Sequence, residues 1–205
     1  MKSRLRKTIE ALRKNGFGVE FFEDRKELIS KIKDYIKDYQ DVGVGGSVTL
    51  TELKIVSLLE KEKKNIIYHG LPKLTPEEKK KRRIKQLTCE LFLTSANAIT
   101  EKGQIINRDS IGNRVCASVF GPKKILIVVG ENKIVKDLKA GLERIKKVSA
   151  PLNAKRLNLN TPCVERGICQ DCDSEERICR ITVIMEKRPR YSDIEVFFVK
   201  GDFGF

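Results

Sequence analysis

Lys124-Ile-Leu-Ile-Val-Val129 is an unbroken apolar run after its first residue. Such a run reads as a strand buried on both faces, the mark of a parallel sheet covered by helices. Behind it, Ile134, Leu138, Leu142 and Ile145 recur at helical spacing and predict one long amphipathic helix. Ahead of it the same alternation repeats. Leu5, Ile9 and Leu12 mark a helix closed by Gly16, followed by a strand at Gly18–Phe22. Leu28, Ile32 and Ile36 mark a second helix, then a strand at Asp41–Val44, a helix over 48–61 and a strand over 65–68. Thr75-Pro-Glu-Glu78 has the composition of a helix start, with Thr as cap, Pro at the first position and Glu three residues after the cap. Strands at Leu91–Thr94 and 104–107 complete the series. Helices alternating with apolar strands predict an α/β domain around a mainly parallel sheet.

From about residue 150 the pattern changes. Cys, Arg, Asn and Pro dominate 151–180, which reads as an irregular, cysteine-stapled insertion within a single domain spanning 1–205. Ile181–Met185 and Ile194–Val199 then read as strands returning to the sheet, and their short connection predicts an antiparallel pair.

The chain has 205 residues, enough for one domain with a real core. Charged residues make up 34%, against roughly 25% in an average soluble protein. No apolar run approaches the ~20 residues that span a bilayer, which argues against membrane insertion. The start is basic but lacks the apolar stretch of a secretory signal, so a cytoplasmic location is expected. The formal net charge is +14, a surplus that favours anionic ligands or partners. Six of the seven residues from Lys79 to Lys85 are basic. That run reads as a solvated helix face, and nucleic acid is the least favoured partner because no aromatic is interleaved to stack on a base. High Lys and Glu with few Gln is similar to thermophile composition.

Val42-Gly-Val-Gly-Gly-Ser47, leading into Val48-Thr-Leu-Thr-Glu-Leu53, is strand, glycine turn and helix. Glycines let the backbone turn sharply and approach a ligand, and the free N–H groups that follow suit a phosphate or carboxylate. Gly45, Gly46, Ser47 and Thr49 are therefore candidate ligand-binding residues, although an ordinary tight turn has the same composition. Glu52, one turn on, either complements the helix dipole or acts on a polar substrate group. Beyond the next strands, Asn97, Gly103, Asn107, Asn113 and Arg114 sit in polar segments where ligands of open α/β sheets bind. The lone His69 excludes a triad or a multi-histidine metal site and reads as a loop residue.

Taken together, Gly-Gly-Ser-x-Thr-x-x-Glu at 45–52, Thr-Ser-Ala-Asn-Ala-Ile-Thr-Glu-x-Gly at 94–103 and the later Gly-Pro-Lys-Lys-Ile-Leu-Ile-Val-Val resemble the LUD-domain family of lactate-utilisation proteins. The tail Pro162-Cys163…Gly167-Ile-Cys169…Asp171-Cys172…Arg177-Ile-Cys179 resembles a cysteine-bearing subgroup. The resemblance implies a three-layer α/β/α fold like that of ribose-5-phosphate isomerase and the coenzyme A transferases. It implies that Gly45, Gly46, Ser47, Thr49, Asn97, Glu101 and Gly103 line a shared cleft. Thr100-Glu-Lys-Gly103 also resembles the Glu-x-Gly of coenzyme A transferases, which would make Glu101 a nucleophile.

Four of six cysteines are clustered as Cys163-x5-Cys169-x2-Cys172-x6-Cys179. Cys-x-x-Cys can place two thiolates on one metal and flanking cysteines can complete the set, so zinc or an iron–sulfur cluster is expected there, with disulfides and free thiols as alternatives. Cys89 and Cys116, isolated in the chain, read as buried small hydrophobes. Two functions follow. One is a lactate-utilisation accessory or subunit beside iron–sulfur lactate-oxidising partners, binding a phosphate, carboxylate or coenzyme A-like anion. The other is a free-standing isomerase or transferase-like enzyme on a phosphorylated or coenzyme A-linked substrate.

Overall fold

The computed structural model describes residues 3–205. Its elements follow in chain order. The first are α1 (Ser3–Lys14), β1 (Gly18–Phe22), α2 (Arg25–Tyr35), β2 (Asp41–Val44), α3 (Val48–Glu52), α4 (Ile55–Lys61), β3 (Asn65–Ile67) and α5 (Pro76–Lys85). Next come β4 (Leu91–Thr94), β5 (Ala98–Thr100), β6 (Ile105–Asp109), α6 (Asn113–Val119), β7 (Lys124–Gly130), β8 (Ile134–Val135) and α7 (Leu138–Arg144). The last are α8 (Ala150–Arg156), α9 (Pro162–Arg166), β9 (Ile181–Met185) and β10 (Ile194–Val199).

Six strands form one parallel sheet in the order β1-β10-β7-β4-β2-β3. The run at 124–129 lies in its middle, between β10 and β4. Alternation along β7 divides the core. Ile125, Ile127 and Val129 pack on one face with Leu5, Ile9 and Leu12 of α1. Leu126 and Val128 pack on the other with Leu28 and Ile32 of α2 and Ile55 and Leu59 of α4. Helices on both faces give the three-layer α/β/α arrangement. A second sheet, β8-β5-β6-β9, stacks on the α1 side, so that Ile99 and Ile105 join that core. Its other face carries Ala98 and Ile106, covered by Ile145 and Ala150.

The structure corrects several sequence expectations. The helix over 48–61 is two helices, because Lys54 takes a left-handed conformation (φ 56°) between them. Both halves still bury their apolar residues in one core, which is why the periodicity reads as continuous. The long helix expected from Ile134 begins only at Leu138, since Ile134–Val135 pairs with β5 as a strand. It then continues through a π-helical turn at Ile145–Ser149 into α8, so the expected irregular segment starts in a helix. The linker after β4 contains the short strand β5.

The last two strands do not pair with each other. β9 joins β6 at the edge of the small sheet, where two of its isoleucines, Ile181 and Ile184, stay exposed. β10 slots between β1 and β7, where a strand apolar on both sides is required. Arg188 stabilises the crossing by donating to the main-chain oxygens of Gly16 and Ser192. Among the described residues no helix is long and apolar enough to cross a membrane.

Candidate functional site

The carboxyl ends of β2, β3, β4 and β7 point into one cleft of about 570 Å³. That position is where open α/β sheets bind ligands. Gly46–Thr49 follow β2, His69 follows β3, Ser95–Asn97 follow β4 and Lys133 follows β7, and all of them line it.

The glycine turn is shaped by close packing. A Cβ at Gly45 would lie 3.0 Å from Oγ1 of Thr94 and 3.1 Å from the Phe92 ring, so only glycine lets the turn close against β4. The Gly45 amide is spent on Leu93 O, and the Ser47 hydroxyl oxygen caps α3 by accepting from the Leu50 amide. Gly46 is exposed, and among the described residues no protein acceptor meets its amide or those of Ser47 and Val48. Thr49 is 1% exposed, and its hydroxyl donates to Phe203 O while accepting from Ser95.

The cleft wall is strongly cationic. Lys79, Arg83, Arg108, Arg114, Lys133 and Arg156 line it; among the described residues Asp109 is the one acidic side chain there, and Phe205, the last residue of the sequence, lies against Lys133. Asp109 is already engaged with Arg114 at 3.4 Å and with the Gly112 amide. Arg83 Nε is buried without a hydrogen-bond partner, although its side chain lines the cleft. An unmet buried guanidinium N–H is costly unless something in the cleft accepts from it. The basic run on α5 thus splits by helical spacing. Lys79 and Arg83, four apart, face the cleft, while Arg82 holds Ile66 O of β3.

His69 stands in the turn after β3, as the sequence reading had it, and from there it lines the cleft. Its Nε2 would lie 3.7 Å from a Cβ at Gly46, and its Nδ1 is 3.3 Å from the Gln86 side-chain nitrogen. The same nitrogen, with two hydrogens, also reaches Val44 O at 2.8 Å and Ile67 O at 3.1 Å, so its contact with the ring is the longest of three. Burial, and then the Arg83 charge, push the imidazole down to about 4, so the ring is neutral near pH 7.

The other expected residues divide into those holding the scaffold and those outside the cleft. Asn107 is 2% exposed, and its Oδ1 accepts from the Asn97 amide and from Arg114. Asn97 Oδ1 accepts from the Arg108 amide, and Asn113 donates to Gln86. Arg114 spends all three nitrogens on Asp109, Asn107 and Arg108 O, so it frames the cleft rather than reaching into it. Glu101 and Gly103 do not line the cleft. Glu101 pairs with Arg4 at 2.8 Å and Lys7 at 3.2 Å on α1, and Gly103 packs against the backbone of Ala11 and Leu12. Glu52 also lies outside, accepting from the Gly204 amide at 2.7 Å.

Lys133 is the residue that sequence reasoning missed entirely. It is 2% exposed, and its Nζ donates to Phe205 O at 2.6 Å. The segment around Gly204 is pinned beside it by Thr49, Glu52 and Asn132. No residue type nearby in sequence marks this lysine out among so many; only its place after the central strand does.

Burial raises the Cys179 thiol pKa, and Cys169 and Cys163 lie near enough to add to it, so three of the four clustered cysteines are neighbours. Cys163 is buried on α9 beside the Thr161 hydroxyl, and Cys169, Cys172 and Cys179 are half-buried. Among the described residues no group of three or more His, Cys, Asp or Glu side chains is placed to hold a metal ion. Arg177 ties this segment together by donating to Cys172 O, Cys179 O and the Asp171 carboxylate. Cys89 is buried as expected, but Cys116 is exposed.

A family profile described as LUD domain matches residues 5–199. Among solved structures, a DUF162 family protein from Deinococcus radiodurans superimposes with a TM-score of 0.52 at 16% identity, covering 98% of this chain and 100% of that one. At that identity the likeness concerns the fold. No curated protein matches the chain.

Proposed function

The chain belongs to the LUD-domain family, and from that premise we propose that it is a lactate-utilisation protein whose cleft holds a small anionic ligand. In this reading it works as an accessory or subunit of an iron–sulfur lactate-oxidising system. The observation that carries it is the unpartnered, buried Nε of Arg83 in a cleft wall with Lys79, Arg108 and Arg156 beside it and the acidic Asp109 already committed to Arg114. The amides of Gly46 and Ser47 supply uncharged donors beside it, and the neutral His69 ring lies alongside. A carboxylate or phosphate would answer all of these groups at once. A cleft of about 570 Å³ suits a small metabolite.

A transferase-like reaction has less support. Its nucleophile by resemblance, Glu101, is neutralised on α1 outside the cleft. Thermal stabilisation by lactate, pyruvate and inorganic phosphate tests the binding, since a ligand that prefers the folded state raises the melting temperature. Co-purification of iron–sulfur subunits with the tagged chain tests the partnership. Absence of both would overturn the reading.

A further inference from the structure

We propose that the cleft takes an elongated metabolite with an anionic group at each end, a sugar bisphosphate or a phosphorylated sugar acid, rather than one compact anion. The inference rests on the anion-binding reading and names the class of anion that fits it.

Two of the basic side chains lining the cleft are committed within the protein. Arg114 is held by Asp109, Asn107 and Arg108 O, and Lys133 donates to Phe205 O. The other four, Lys79, Arg83, Arg108 and Arg156, form no ion pair among the described residues. Elsewhere in the chain even exposed lysines, such as Lys37 and Lys147, find a carboxylate. Four unmatched cations in one concavity carry more positive charge than a single carboxylate neutralises, and they focus their field into the cleft.

The four stand in two groups on different parts of the fold. Lys79 and Arg83 lie one turn apart on α5, which packs on β3, the edge strand of the large sheet. Burial depresses the imidazole of His69 most, and Arg83 and then Lys79 add to it, so both cations stand around this ring. The ring in turn lies against Gly46, which places this group beside the open amides of the glycine turn. Arg108 and Arg156 belong to the small-sheet side. Arg108, on β6, donates from Nε to the Thr182 hydroxyl of β9. Arg156 closes α8, the helix whose Ala150 covers that sheet, and Asn153 Oδ1 accepts from its Nε and Nη2. Both guanidinium groups are thus held by one edge, with the rest of each fork left for a ligand oxygen.

The size of the cleft agrees. About 570 Å³ lies in the range that encloses whole drug-sized ligands, more room than a three-carbon acid or one phosphate fills. Ser95, Asn97 and Ser110 add uncharged polar groups to the lining, which suit the hydroxyls of a sugar chain.

Calorimetric titration of the full chain at one fixed ionic strength compares inorganic phosphate, pyrophosphate, fructose bisphosphate and phosphogluconate. Pyrophosphate controls for charge, because it is multiply charged but too short to reach both groups. At least one elongated anion should bind about tenfold or more tighter than pyrophosphate, and which one does so separates bisphosphate from phosphate with carboxylate. Arg156→Met, at an exposed position, should weaken the elongated anion about tenfold and inorganic phosphate less than about twofold. Pyrophosphate binding as tightly as both elongated anions would overturn the proposal and leave the anion site standing. So would an Arg156→Met variant that binds the elongated anion as wild type does, or loses it no more than it loses phosphate. Binding of none of the four would sink both readings.

Discussion

The side-chain nitrogen of Gln86 sits 3.3 Å from Nδ1 of His69 while also reaching Val44 O at 2.8 Å and Ile67 O at 3.1 Å. One fully buried amide therefore joins the ends of β2 and β3 and packs against the imidazole. Replacing Gln86 with Leu leaves two strand-end carbonyls and the Asn113 amide without their partner. The expected cost is about 2–4 kcal/mol in urea unfolding, together with weaker anion binding. Wild-type stability in that variant would show that the junction is not held by this amide.

His69 makes acid sensitivity predictable. Its pKa falls from 6.5 in the unfolded chain to about 4 in the fold. Between those values the unfolded state binds the proton and the folded state does not, so stability contributed by His69 is present above pH 6.5 and is lost as pH falls toward 4. His69→Gln should flatten this part of the melting-temperature profile. An unchanged slope in the variant would mean the ring is not buried as described.

Lys133 acts in the same direction at higher pH. Its pKa drops from 10.5 to about 7, so the folded state binds fewer protons between these values and stability rises with pH across the window. The margin by which Lys133→Met differs from wild type should therefore change by a few kcal/mol between pH 7 and pH 10.5, with wild type gaining toward the alkaline end. Denaturant melts at several pH values read it directly. A pH-independent difference would mean that the amine stays charged in the fold, held by the Phe205 oxygen to which it donates at 2.6 Å.

Much of the fold was legible because it rests on local pattern. The apolar run of β7, the α1 and α2 stripes and the capping box of α5 all stand where the residues put them. The partner of β9 was not legible, because a strand's neighbours depend on which sheet has a vacant edge rather than on its own residues. In the site, the glycine turn could be read from Gly45 and Gly46. The roles of Asn97, Asn107 and Arg114 could not, because a polar side chain looks the same in sequence whether it meets a ligand or a main-chain group. Lys133 is one basic residue among 42 Lys and Arg, and burial alone distinguishes it.

The cysteines offer a chemical check on the packing. Cys89 is buried, and desolvation pushes its thiol up to about 11, whereas Cys116 is exposed. Iodoacetamide at neutral pH should alkylate Cys116 early and leave Cys89 intact until the chain unfolds. Metal analysis after anaerobic purification tests the four clustered thiols: stoichiometric zinc or iron supports a metal site there, and fewer than about 0.2 metal atoms per chain rejects a stable four-thiolate site.

The cationic cleft is the centre of the account, and Arg83 is its most exacting residue. Calorimetric titration of the full chain with lactate, pyruvate and inorganic phosphate at low salt, repeated on Arg83→Met, measures it directly. Saturable binding of at least one anion, weakened about tenfold or more in the variant, is the predicted result. No saturable heat from any of the three, or equal affinity in both proteins, would contradict it.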